Sequence, residues 1–322
     1  MKAIQVVDQQ LVWAEVADEV TPPGHVKIQV RATAVNRADL IQAGGGYPPP
    51  PGASPILGLE CAGTVVEVGD SVQSVALGDE VCALLAGGGY AEQVVVPAGQ
   101  VLPIPQGLSM VEAASLPEVF ATAYLNLYME AGLTTQEKVI LHAGASGVGT
   151  AAIQLLKQTN NPSFVTVGSA DKITACVNLG ADAGFDRRAG SFLTAVQEWA
   201  GETGVDVILD PVGGQYLADN LTSLGLGGRL VVIGLMGGMT TELNLAALMM
   251  KRIRIVGSTL RARPIAEKAA VMDQLKAHVW PHIEAGRIKP VIEAVLPLPE
   301  AGQAHELVAG NNTLGKVVLS LD

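Results

Sequence analysis

The stretch VILHAGASGVGTAAIQLLK, Val139 to Lys157, decides the fold. It opens with a short apolar run and turns through a glycine-rich segment. Apolar residues then recur at Val148, Ala151, Ala152, Leu155 and Leu156. That i, i+3, i+4, i+7, i+8 spacing predicts the inner face of a helix. Strand, tight turn and helix together aim free backbone N–H groups from a helix N-terminus, an arrangement that suits a pyrophosphate. The G-x-G-x-x-G pattern of dinucleotide sites is imperfect here. Gly144, Ser146 and Gly149 hold its three positions, with Gly147 between them, so the central glycine is a serine. A turn that merely packs strand on helix would carry similar glycines; the five strands that follow favour the nucleotide reading. The expected cofactor contacts here are Gly144, Ala145, Ser146, Gly147, Val148 and Gly149.

Outward from this turn the strand candidates are 139–142, 164–167, 183–186, 205–210, 229–234 and 253–257, with helical patterns in most of the gaps. Six short apolar strands with helical connections predict an α/β fold, a doubly wound parallel six-stranded sheet of the Rossmann type. Upstream, the first ~118 residues read as β-rich by their period of two. Val26 to Thr33 alternates, and Cys61 to Asp70, Glu80 to Leu84 and Tyr90 to Val96 are further strands. GGGYPPPPG, Gly44 to Gly52, is a surface loop of the kind that carries binding residues. Glu118 to Ala131 reads as helix. Downstream, Pro264 to Ala285 is helical, and strands are expected at Val291 to Leu298 and Gly315 to Leu321. The simplest organisation returns the chain to its first domain. Residues 1–118 and 286–322 would form one domain and 119–285 the dinucleotide-binding domain.

With 49% hydrophobic and 16% charged residues, the 322-residue chain can bury large cores. A net charge of −11, with no long basic run, argues against nucleic acid or an anionic membrane as partner. Cys61, Cys82 and Cys176 are widely spaced and read as buried free thiols. The N-terminus lacks a signal-peptide pattern and no apolar run is long enough to span a bilayer, so a cytoplasmic protein is expected.

The end of the second strand informs cofactor choice. NAD sites usually place a carboxylate there for the ribose 2′-OH. Here the strand runs into Gly168 and Ser169, which leaves room for a 2′-phosphate. Lys172 and Arg187 or Arg188 would supply positive charge, so NADPH (NADP+) is expected. Asp171 is the counter-reading, since a small shift would aim it at the ribose. Further contacts are expected where strands end, at Pro211, Val212, Gly234, Leu235 and Met236.

AVNRADLIQ (34–42), YPPPPGAS (47–54), ILGLECAGTVVEVG (56–69), HAGASGVGTAAIQL (142–155), GLMGG (234–238) and NNTLGKVVL (311–319) follow one another in an order specific enough to name a likeness. The chain resembles the zinc-independent quinone oxidoreductases of the medium-chain dehydrogenase/reductase superfamily, most closely the tumour-suppressor-inducible subfamily. The resemblance implies a β-rich GroES-like catalytic domain beside the Rossmann domain, with the nicotinamide in a cleft between them. It implies a homodimer through the cofactor-sheet edge, here IRIVG at 253–257. Where zinc members carry G-H-E, this chain has Gly58, Leu59 and Glu60, so no metal is expected. His278 and His282 have metal-compatible spacing, but Pro281 interrupts them and they read as helix-end residues.

By the same resemblance Tyr47 contacts substrate, Asn36 orients ribose or substrate, and Thr122 begins a helix near the nicotinamide ribose. The Ser146 hydroxyl is expected to bond cofactor or substrate. The plainer readings are that Tyr47 packs on its prolines, Asn36 caps a helix, and Ser146 is a small turn residue. Without metal, the acceptor carbonyl would be polarised by hydrogen bonds alone, and no strong acid–base machinery is evident in the sequence. The expected activity is NADPH-dependent reduction of a small-molecule quinone or similar conjugated carbonyl. The alternatives are an enone or enoyl-thioester reductase on the same scaffold, and a non-enzymatic crystallin-like or RNA-binding protein.

Overall fold

The computed structural model describes residues 1–321. Fifteen strands run in chain order among them: β1 Lys2–Val7, β2 Gln10–Glu15, β3 His25–Ala34, β4 Glu60–Val68, β5 Glu80–Leu84, β6 Gln93–Pro97, β7 Val101–Pro103, β8 Val139–His142, β9 Ser163–Val167, β10 Ala183–Asp186, β11 Val205–Asp210, β12 Leu224–Val232, β13 Arg254–Gly257, β14 Ile292–Pro297 and β15 Lys316–Ser320. The chain divides into two compact units. The first is Met1–Ala121 with the chain from Leu260 onward; the second is Thr122–Thr259.

In the first unit β3 is the organising strand. Its alternation buries Val26, Ile28 and Val30, which pack with Val65, Val81, Val94 and Val96. β-branched residues suit such a pleated, half-covered surface. The seven-stranded sheet runs β14-β15-β3-β4-β5-β7, and β6 also pairs with β3. β15 reaches β3 antiparallel, Val318 opposite Ala34, so the C-terminal segment completes this sheet. A second core gathers Ile4, Val35, Leu57, Tyr90, Leu298, Val317 and Leu319. The β1–β2 hairpin is not among the sequence expectations. It turns at Asp8 and Gln9, both with positive φ, without the glycine that signals such turns, and its strands lack clean alternation.

The return to the first unit comes earlier than expected. The helices Ile265–His278 and Trp280–Glu284 belong with the first unit, not with a 119–285 dinucleotide domain. The first helix packs on the turn Ala98–Gln100, where a Cβ on Gly99 would stand 2.9 Å from Ala269 Cβ. Trp280 Nε1 donates to Pro103 O at 2.8 Å. The apolar spacing announces a helix with a buried face, but periodicity does not say which core that face meets.

The second unit is the expected α/β layer. Six parallel strands lie in the order β10-β9-β8-β11-β12-β13, with the strand order reversing between β8 and β11. Ile140, Phe164, Ile208 and Leu230 from the sheet pack with Phe192, Val196 and Leu221 from helices. β13 lies at the edge, paired only with β12. The helix read over Glu118 to Ala131 is α-helical only over Pro117–Tyr124 and continues as a π-helix over Leu125–Glu130. Arg229 closes the lower side of this unit. Its Nε donates to Ala131 O at 2.9 Å, and both terminal nitrogens reach Glu137 at 2.7 Å. Arg229→Met should therefore lower stability by about 3 kcal/mol, because Glu137 loses its paired charge. The check is urea unfolding, read as a lower midpoint at unchanged slope.

Candidate functional site

The glycine-rich turn sits between β8 and the helix Gly147–Gln158. Two of its glycines are sterically required. A Cβ on Gly144 would lie 2.6 Å from Val165 Cβ, and one on Gly149 would lie 2.4 Å from Gly144 O. Ser146, at the central position, is the helix N-cap: its Oγ accepts from Gly149 N at 3.1 Å. The residue itself is exposed. Residues Gly149–Leu156 are all buried, whereas Val148, read as part of the inner face, is only half-buried. Ala145 is buried and Gly147 half-buried within the same turn.

At the end of β9, Gly168 leads into Ser169, which caps the helix Ala170–Leu179 by accepting from Lys172 N. The exposed Arg187 guanidinium lies over Gly168, its Nε 3.7 Å from the position of a Cβ there. Arg188 is committed elsewhere: it forms a two-pronged pair with Asp186, Nη2 to Oδ2 2.8 Å. Of the two arginines, the structure brings only Arg187 to the strand end. Asp171 is exposed in the first turn of the helix.

The ends of β11 and β12 are knitted together. Met236 N donates to Pro211 O, and Gly237 N donates to Val212 O at 2.7 Å. Gly234 has no room for a side chain, since a Cβ would meet Pro211 O at 2.8 Å. Leu235 and Met236 project into solvent. Beneath these loops runs a buried polar chain that the sequence reading misses. Asp210 accepts from Val212 N, Gly213 N and Asn220 Nδ2, and Asn220 Oδ1 faces His142 Nε2 at 2.7 Å. Because a carboxylate only accepts, Asn220 must turn its amide nitrogen to Asp210. His142 Nε2 then carries the proton, and Nδ1 accepts from Thr166 Oγ1 at 2.9 Å. Burial lowers the His142 pKa and raises that of Asp210. Thr122 needs a correction. It does not begin a helix but lies within Pro117–Tyr124, and its carbonyl accepts from Asn126 Nδ2 at 2.7 Å.

In the first unit, Asn36 sits at the mouth of a buried ion cluster. Its Nδ2 donates to Glu60 Oε1 and Ala34 O, and its Oδ1 accepts from Lys316 Nζ at 2.7 Å. Both amide hydrogens are thus engaged, which leaves one acceptor lone pair on Oδ1. The Asn36 backbone, not its side chain, serves the helix Arg37–Ala43: its N–H donates to Asp39 Oδ2. Lys316 Nζ also pairs with Glu60 Oε1 at 2.7 Å, both residues being buried. Burial raises the carboxyl of Asp39 to about 6. Tyr47 is half-buried, and burial raises its phenol pKa. The Arg261 guanidinium lies 5.2 Å from its ring centroid and donates to its carbonyl. Tyr47 therefore packs on a cation, which the sequence reading does not anticipate. Nothing local marks Glu60, Lys316 or Arg261, because their partners are remote in the chain.

Among the described residues, no three His, Cys, Asp or Glu side chains gather as a metal site. His282 Nδ1 faces Arg287 Nε at 2.9 Å, beyond the end of the helix that closes at His278. The three cysteines are free and buried. No helix among the described residues is long and apolar enough to cross a membrane.

Comparison with known proteins places this geometry. Residues 22–106 match the alcohol dehydrogenase GroES-like domain, and residues 147–277 match the zinc-binding dehydrogenase family. The chain is 31% identical over 303 residues to the quinone oxidoreductase of Rattus norvegicus, covering 93% of this chain and 90% of that protein. It belongs to the quinone oxidoreductase family of medium-chain dehydrogenases/reductases. The Escherichia coli quinone oxidoreductase complexed with NADPH superposes with a TM-score of 0.87 at 25% identity, covering 99% of this chain and 98% of that one. An NAD-dependent alcohol dehydrogenase gives a TM-score of 0.87 at 28% identity over the whole of both chains. The turn's capping and packing roles separate by substitution. Gly149→Ala should cost about 2 kcal/mol through overpacking against backbone. Ser146→Ala should cost about 1 kcal/mol through loss of the cap. Thermal and denaturant unfolding of both variants would check the ranking, and a larger loss for Ser146→Ala would reverse it.

Proposed function

We propose that this chain reduces quinones or related conjugated carbonyl compounds with NADPH. The observation that carries the cofactor choice is the end of β9. No carboxylate follows the strand directly, Gly168 leaves the space open, and the Arg187 guanidinium lies over it. The residues present fit a dinucleotide phosphate. The turn Gly144–Gly149 leads into the N-terminus of the helix Gly147–Gln158, and exposed Ser146 stands at its centre. Ser169, Lys172 and Arg187 would hold the 2′-phosphate, and the loops at Pro211–Val212 and Gly234–Met236 would border the rest of the cofactor. When bound, the reduced nicotinamide supplies a hydride. The chain's own contribution is to bind, orient and hydrogen-bond the acceptor. Tyr47, braced by Arg261, and Asn36 are the candidate acceptor-side groups of the first unit.

We also propose self-association through the β13 edge. An unpaired strand edge bordered by exposed apolar side chains is a liability that a second copy removes. Leu226, Ile255, Met249 and Met250 are exposed on and beside this edge. In this reading the protein works in the cytoplasm, where its three cysteines stay reduced.

Steady-state kinetics with 1,2-naphthoquinone and with a simple enone, each with NADPH and NADH, test the reading. The quinone should be the better acceptor and NADPH the better donor by at least about tenfold in kcat/KM. Arg187→Ala should reduce that NADPH advantage by about tenfold, or about 1.4 kcal/mol, and leave NADH kinetics nearly unchanged. Equal efficiency with NADH in the wild type would refute the cofactor assignment. Light scattering at micromolar concentration should give twice the subunit mass, and Ile255→Lys should give monomer. A monomeric wild type would remove the edge from the account.

A further inference from the structure

One cluster in the first unit is left unused by the reading above. Glu118 opens the helix Pro117–Tyr124, and its backbone N–H donates to Glu60 Oε2 at 2.9 Å. Its side chain is half-buried and makes no hydrogen bond with any described residue. Glu60, fully buried, already holds Lys316 and Asn36, so its charge is matched and Lys316 is engaged. Two carboxyl groups therefore share a neighbourhood in which Lys316 is paired with Glu60.

Arg261 faces the same cluster and is 3% exposed. Its Nε donates to Ala86 O at 2.7 Å and its Nη1 to Tyr47 O at 3.3 Å. Its Nη2 is buried and has no hydrogen-bond partner. A buried guanidinium N–H without an acceptor is disfavoured, and a ligand oxygen would relieve that cost. The stack on Tyr47 holds the guanidinium plane in place.

We propose that Arg261 Nη2 binds the carbonyl oxygen of the acceptor and that Glu118 gives that oxygen the proton completing its reduction. This inference rests on the reductase reading. In the step, the Glu118 O–H bond breaks, an O–H bond forms on the acceptor, and the carboxylate regains its proton from water. The electron pair arrives with the hydride of the reduced nicotinamide. Arg261 lowers the energy of the negative oxygen before the proton reaches it.

The protonation state supports the geometry. Burial first, and then Glu60, raises the Glu118 carboxyl to about 8. Asp39 adds to that rise, while Lys316 and Arg261 oppose it. Lys268, whose Nζ donates to Arg261 O, faces the cluster from the helix Ile265–His278. At neutral pH Glu118 therefore keeps its proton. The acid is present below about 8 and is lost as pH rises through that value.

The test compares wild type with Glu118→Gln, which keeps the shape of the neutral acid, and with Arg261→Lys. In the protein without cofactor, infrared titration should show a carboxylic C=O band that disappears through about pH 8. The band should be missing in Glu118→Gln. With NADPH and 1,2-naphthoquinone, wild-type kcat should fall above about pH 8. Glu118→Gln should be slower by roughly 10- to 100-fold at neutral pH and lack that limb. Arg261→Lys should raise the quinone KM about tenfold. NADPH binding, followed by fluorescence, should change less than about twofold in both variants. An active wild type with an unaltered Glu118→Gln rate and pH profile would overturn this inference alone. A wild type that neither binds nor oxidises NADPH would overturn the reductase reading, and this inference with it.

Discussion

The ion pair between Glu60 and Lys316, 2.7 Å apart and buried, is the constraint on which the first unit depends. One partner stands at the start of β4 and the other at the start of β15. Burying two charges is costly, and such a pair is tolerated only when further hydrogen bonds complete both groups. Here they do. Lys316 also donates to Val35 O and Asn36 Oδ1, and Glu60 also accepts from Asn36 and from Glu118 N. The pair therefore couples the C-terminal return, the end of β3 and the first turn of a helix at one point. Removing either charge would strand the other, so the polar atoms beside the candidate acceptor groups are held by an all-or-none arrangement.

Steric exclusion plays the corresponding part in the second unit. Gly144 and Gly149 let strand, turn and helix approach until no Cβ fits between them. With no side chain on either residue, the turn packs directly on Val165 of β9 and on its own backbone. The buried chain from Thr166 through His142 and Asn220 to Asp210 then fixes the next loop, because Asp210 accepts from both Val212 N and Gly213 N. Substitution of a glycine by serine at position 146 is compatible with this, since the helix cap engages its oxygen while the residue stays exposed.

Much of this was legible from the residues. The parallel strands of the second unit fall where apolar runs of four to six residues stand between helical patterns, and β10 and β11 match their expected bounds. Boundaries failed where the deciding contact is remote. The hairpin β1–β2 lacks a turn signal, and the helix Ile265–His278 has a buried face whose partner turn lies near residue 99. At the candidate site, Arg187 and Arg188 are equivalent in sequence; Asp186 takes one of them, and only the folded loop shows which.

By itself, the sequence determined the doubly wound sheet and the turn that begins its first helix, because these rest on short-range period and glycine placement; the family was legible only as a resemblance carried by the order of its motifs. Tertiary structure alone decided which charges are buried together, where the chain rejoins its first unit, and that Tyr47 lies against Arg261. The physical reason is that dielectric environment and unmet hydrogen bonds are properties of a place in the fold. Residues such as Glu60, Glu118, Arg261 and Lys316 acquire them only when distant segments close around one another.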